Sequence, residues 1–117
     1  MEKKLFGGID YLIRSFNSIK PTEKDAIANF SLIHSLFDFF YNKKVYIKRN
    51  SLFSLKKEVT EKFKEIDLEK ADKLFILLEN YELKEKRKVF TDIEGNDLLR
   101  RAKAKYLLSK RFFLSSR

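Results

Sequence analysis

Between Ala26 and Tyr41 apolar side chains stand on nearly every face of a helix. Ala26, Ile27, Phe30, Ile33, Phe37 and Phe40 recur at three- and four-residue spacing, and Leu32, Leu36, Phe39 and Tyr41 widen that stripe almost all round. A helix with so little polar surface must be surrounded by other elements, so the sequence predicts a central helix over roughly residues 23–42. Thr22 is placed to cap it, with Asp25 three residues on in a capping-box-like arrangement.

The remaining segments carry the same period. Ile9, Leu12, Ile13, Phe16 and Ile19 mark a helix that follows Gly7-Gly8, read as a flexible entry, and closes at Pro21. Leu52, Leu55, Val59, Phe63 and Ile66 mark a helix capped by Ser51 or Ser54. Asp67 caps another, with Leu68, Ala71, Leu74, Phe75, Leu78 and Tyr81 as its apolar face, and the run Lys84–Lys88 extends it or connects onward. Leu98, Leu99, Ala102 and Tyr106 supply the buried face of the last, for which Thr91 and Asn96 compete as caps. Val45 and Ile47 alternate with Lys44, Tyr46 and Lys48, which reads as a short strand or extended loop; paired with Val89–Phe90 it would form a minor hairpin. The apolar tail Arg111–Leu114 is short and expected to fray. With 3 Gly and 1 Pro in 117 residues, a turn-rich β fold is excluded. The expected fold is all-α, a compact bundle of about five helices in a single domain over residues 1–117.

Several chemistries are excluded or weakened. With no Cys there is no disulfide framework, thiol catalysis or thiolate metal site, and one His builds no His-based metal site within the chain. The glycines form no phosphate loop. Asp92–Asp97 has its Gly fourth instead of sixth and lacks the closing Glu of a calcium loop, so it reads as a turn with helix caps. His34 lies beside the apolar face of the central helix and reads as a satisfied, partly buried ring. All-helical ribonucleases of the HEPN class carry an Arg four to six residues before such a His, and here residues 28–30 hold none. Glu58, Glu61 and Glu65, like Asp67 and Asp72, are interleaved with Lys as i,i+4 ion pairs on solvated faces. The chain is therefore expected not to be an enzyme and to use no metal or cofactor. No apolar run is long enough to cross a membrane, and MEKKLFGGID is not a signal peptide, so a cytoplasmic protein is expected. The scarcity of Gln and Trp beside abundant Lys and Glu leans towards a thermophile.

Charge is the strongest positive signal. The formal net charge is +9, and residues 84–117 hold 11 basic against 4 acidic side chains. From Asn42 to Lys57 six cations (Lys43, Lys44, Lys48, Arg49, Lys56 and Lys57) occur without one acid, with Tyr46 and Phe53 among them. Arg100, Arg101, Lys103 and Lys105 form a second group, set off from the apolar face of the last helix. Clustered cations point to polyanions, and interleaved aromatics can stack on bases. These ten residues are the candidate nucleic-acid-binding set, through backbone contacts to RNA or DNA rather than base readout.

A short, helical, basic, cysteine-free chain with cation groups at Lys43–Arg49 and Arg100–Lys105 resembles the small subunit of type I CRISPR effector (Cascade) complexes. That resemblance implies a non-catalytic ribonucleoprotein subunit that holds guide-paired target or displaced strand by its backbone in antiviral defence. It also implies other effector subunits as partners and self-stacking through outer apolar residues, with Phe112 and Phe113 as candidates. The alternative is a helix-turn-helix or winged-helix DNA-binding regulator, with the last helix in a major groove and Lys84–Phe90 as a wing.

Overall fold

A computed structural model describes residues 2–50, 53–85 and 97–115. These form six α-helices: α1 (Glu2–Asn17), α2 (Glu23–Ala28), α3 (Phe30–Asn50), α4 (Phe53–Phe63), α5 (Leu68–Glu85) and α6 (Leu98–Ser115). No strand occurs among the described residues. The all-α expectation holds, with one helix more than the spacing suggested.

The extra helix comes from a break at Asn29. Thr22 caps α2 as expected, its hydroxyl accepting the Asp25 N–H. Seven residues later Asn29 ends α2 and leaves the helical region at φ −109°, ψ 18°. Its side-chain amide donates to the Asp25 carbonyl at 2.8 Å, and its own carbonyl accepts the Ile33 N–H at 3.0 Å to start α3. An Asn amide that competes for backbone partners divides a run that apolar spacing alone reads as one helix.

α3 also continues further than expected. Val45–Ile47 are helical, not extended, so that half of the expected hairpin is absent; Val89–Phe90 lie outside the described residues. Ile47 is buried seven residues after Phe40, two helical turns along the same face, and this burial outweighs the local alternation of Lys with apolar residues. Gly7-Gly8 lie within α1 instead of before it, and α6 runs through the tail to Ser115.

α3 is the axis of the bundle. Its residues Ile33, Leu36, Phe37 and Phe40 are fully buried. The Phe37 ring meets Phe16 of α1 at 5.6 Å, Phe75 of α5 at 6.0 Å and Tyr106 of α6 at 4.7 Å between centroids. One turn on, Phe40 meets Phe63 of α4 at 5.1 Å and Phe113 of α6 at 5.9 Å. Residue numbers rise together along α3 and α6 through these contacts, so the two helices run parallel. Phe113, expected as an outward residue for self-stacking, is 1% exposed, and Phe112 is half-buried against it.

Polar groups lock the helix ends. Asn17, closing α1, donates to the Glu65 carbonyl and accepts the Asp67 N–H, both at 2.9 Å, which fixes α1 to the turn between α4 and α5. Asp67 caps α5 as expected, accepting the Lys70 N–H. Asp97 caps α6 by accepting the Arg100 N–H at 3.1 Å; Thr91 and Asn96, the two expected caps, lie outside the described residues. Ser51 also lies outside them, and Ser54 falls within α4 rather than ahead of it.

Two core substitutions test this packing by urea denaturation. Phe37→Ala removes the ring shared by four helices and is expected to cost about 3–5 kcal/mol. Ser109 is fully buried, and among the described residues its hydroxyl has no hydrogen-bond partner. Ser109→Ala should therefore raise stability, by about 1 kcal/mol, because an unpaired buried hydroxyl is removed and a better helix former introduced.

Candidate nucleic-acid interface

The parallel pairing of α3 and α6 sets where the ten candidate cations lie. Arg100, Arg101, Lys103 and Lys105 occupy the first half of α6, beside the first half of α3. Lys43, Lys44, Lys48 and Arg49 occupy the last two turns of α3, and Lys56 and Lys57 the first turn of α4. From Asp38, which pairs with Lys105, to Lys48 is ten residues, or about 15 Å along the helix. The structure therefore does not gather the ten into one cluster.

The α6 group faces carboxylates. Lys103 Nζ lies 2.6 Å from Glu79 of α5, and Lys105 Nζ lies 2.6 Å from Asp38 of α3. Arg100 Nε is 3.9 Å from Asp97, within its own first turn. Arg101 lies near enough to His34 to act on its protonation. Lys103 and Lys105 thus hold α6 to its neighbours.

The same device recurs around the bundle. Lys62 reaches Asp10 at 2.7 Å between α4 and α1, Lys84 reaches Glu23 at 3.2 Å between α5 and α2, and Lys110 reaches Asp72 at 3.2 Å between α6 and α5. The Asp10 hydrogen bond raises the Lys62 pKa, against a smaller opposing effect of burial. Sequence spacing suggested i,i+4 pairs; most of the bridges instead join different helices. Asp72 also accepts from the Tyr106 hydroxyl, and burial followed by that hydrogen bond pushes the phenol pKa up.

The second group lacks such partners. Among the described residues none of Lys43, Lys44, Lys48, Arg49, Lys56 and Lys57 pairs with a carboxylate. Three lie over rings: Lys43 over Phe39 at 5.3 Å, Lys44 over Tyr41 at 5.1 Å and Lys56 over Phe112 at 5.6 Å. Lys48, Arg49 and Lys57 are exposed with no partner among the described residues. A shallow groove of about 300 Å³, lined by Lys44, Leu108, Arg111, Phe112 and Ser115, adjoins them and brings Arg111 to the same end of the bundle. Arg111 was not in the expected set, because its place beside Lys44 depends on the parallel packing of α3 and α6. Lys48 and Arg49 also complement the negative end of the α3 dipole, so part of their role is structural.

His34 is half-buried with its ring 6.1 Å from Phe30, as expected for a packed side chain. Among the described residues no group of His and acidic side chains could hold a metal ion. Compared with family models, with curated proteins and with solved structures, the chain matches none.

Burial, then the Lys105 charge, holds the His34 pKa below its ordinary 6.5; Asp38 opposes this and Arg101 adds to it. The unfolded chain then takes up the proton first. His34 should contribute a stability that is present above pH 6.5 and lost as pH falls below it towards the folded-state pKa. Urea midpoints measured from neutral pH down to the edge of the carboxylate range should drop, and His34→Gln should flatten that drop. Because the chain has 1 His, its imidazole NMR titration reads the folded pKa without ambiguity.

Proposed function

We propose that the chain is a non-catalytic nucleic-acid-binding subunit that holds a phosphate backbone at the end of the bundle formed by the last turns of α3 and the first turn of α4. The observation that carries this reading is the contrast between the two cation groups. In one, Lys103 and Lys105 are matched by carboxylates across helix interfaces; the other has no acid within residues 42–57 and no carboxylate partner among the described residues. Cations left without counter-charges carry loosely held anions, and a polyanion that displaces them gains counterion-release entropy. The contacts are to phosphates, so binding is expected to be blind to sequence.

The resemblance to the CRISPR effector small subunit supplies the finer reading. On it, the nucleic acid is guide-paired target or displaced strand, the partners are other effector-complex subunits, and the setting is antiviral defence in the cytoplasm. The regulator reading requires α6 to enter a major groove. α6 packs by one face against α3, α4 and α5 and has Lys103 and Lys105 engaged in ion pairs, which favours the α3–α4 end as the binding surface; residues 86–90 of the expected wing lie outside the described residues. Among the described residues no helix is long and apolar enough to cross a membrane.

A salt titration of oligonucleotide binding tests the reading. With the six cations in contact, the log–log slope should lie near −4 to −5. Lys48→Glu, Arg49→Glu and Lys57→Glu together should weaken binding more than about tenfold and reduce that slope by roughly three contacts, without loss of helicity. Lys103→Glu with Lys105→Glu should lower thermal stability and leave the affinity of the folded protein largely intact. Unchanged binding by the triple variant would show that this surface is not the interface.

A further inference from the structure

The cation-rich end also carries two rings that the fold leaves unused. Exposed aromatic side chains among the described residues are Tyr11, Tyr46 and Phe53, at 61%, 46% and 80%, and two of these three fall in the acid-free stretch. Tyr46 stands one helical turn from Lys43 and from Arg49 on α3, and Phe53 stands one turn before Lys56 and Lys57 on α4. The neighbouring rings of Phe39, Tyr41 and Phe112 are each covered by a lysine. Among the described residues Tyr46 and Phe53 have neither a cation nor another ring against them. The other large exposed apolar side chains (Ile76, Leu83, Leu107, Leu108 and Leu114) are aliphatic and lie on α5 and α6.

A bare ring flanked by unpaired cations offers a nucleotide both halves of what it needs. The ammonium and guanidinium groups take the phosphates, and the ring face takes a base, provided the base is not already stacked in a duplex. A duplex would leave both rings against water or a sugar-phosphate backbone. An acidic protein would satisfy the cations and gain no stacking. We propose that this end of the bundle binds single-stranded nucleic acid, with Phe53 and Tyr46 as stacking platforms for unpaired bases and Lys48, Arg49 and Lys57 on the adjoining phosphates. The inference rests on the backbone-binding reading above and adds the strandedness of the ligand and the two residues that sense it.

Fluorescence anisotropy with labelled oligonucleotides of about 20 nucleotides separates the two claims. The probes are oligo(dT), oligo(rU), an abasic strand with the same phosphates, and a duplex of equal length. Both base-bearing single strands should bind about tenfold or more tightly than the abasic strand, and more tightly than the duplex. Phe53→Ala should lose a comparable factor on oligo(dT) and oligo(rU) and nothing on the abasic strand; Tyr46→Ala should act in the same direction. At 80% exposure Phe53 is dispensable for folding, and unchanged circular dichroism checks this. Phe53→Trp, in a chain with Trp 0, supplies a second readout: its fluorescence should be quenched by oligo(dT) and not by the abasic strand. Equal binding of abasic and base-bearing strands, or a duplex preference, overturns the stacking proposal and leaves the backbone reading standing. Absence of binding by all four probes at low salt overturns both.

Discussion

The rest of the bundle depends on the Phe37 ring. It lies between Phe16, Phe75 and Tyr106, so one side chain of α3 sets the distance to α1, α5 and α6 together. Phe75 and Tyr106 stack on each other at 5.2 Å, closing the group on the side away from α1. Edge and tilted ring contacts add a geometric preference to the apolar burial, which fixes how the helices are rotated as well as how near they come. Phe40, Phe63 and Phe113 repeat the arrangement one turn along, and two such layers suffice to hold α3 and α6 in parallel register.

Ion pairs finish what the rings begin. Bridges of this exposure are worth little each, because water screens them and long side chains lose freedom. Their distribution matters more than their sum. Lys62–Asp10, Lys84–Glu23, Lys103–Glu79, Lys105–Asp38 and Lys110–Asp72 all cross between helices and together reach all six, so a rotation of any helix that kept its apolar face buried would still break a bridge. The polar perimeter selects among packings that the apolar core alone would tolerate.

What could be read beforehand was whatever depends on period and local capping. The apolar faces of α1, α3, α4, α5 and α6, the Thr22 and Asp67 caps and the packed state of His34 follow from spacing and from side chains acting within a few residues. The errors arise where a local pattern competed with a distant one. Val45–Ile47 alternates like a strand, yet Ile47 completes a helical stripe that begins at Phe30, and the longer pattern governs. Asn29 divides a continuous apolar run through one side-chain amide, which periodicity does not register. The pairing of Lys103 and Lys105 was invisible because their partners lie 24 and 67 residues away. Of the two cation groups the one expected on α6 therefore has Lys103 and Lys105 tied into the fold, and none of the six cations on α3 and α4 pairs with a carboxylate among the described residues.

The pairing of α6 also offsets part of the charge that the sequence places there. By sequence, residues 84–117 carry most of the imbalance, 11 basic against 4 acidic, and residues 43–83 are closer to even. In the folded chain Glu79, Asp38 and Asp72 reach across to α6 and neutralise Lys103, Lys105 and Lys110 in place. α3 carries two kinds of surface on one rigid element: its first four turns are held by rings and bridges, and its last two, anchored by buried Ile47, lay Lys43 and Lys44 over rings and present Lys48 and Arg49 to solvent. On the function proposed above, a cation group on the end of the most deeply packed helix needs little further ordering to meet a polyanion. That is the condition under which unpaired surface charge becomes affinity rather than only solubility.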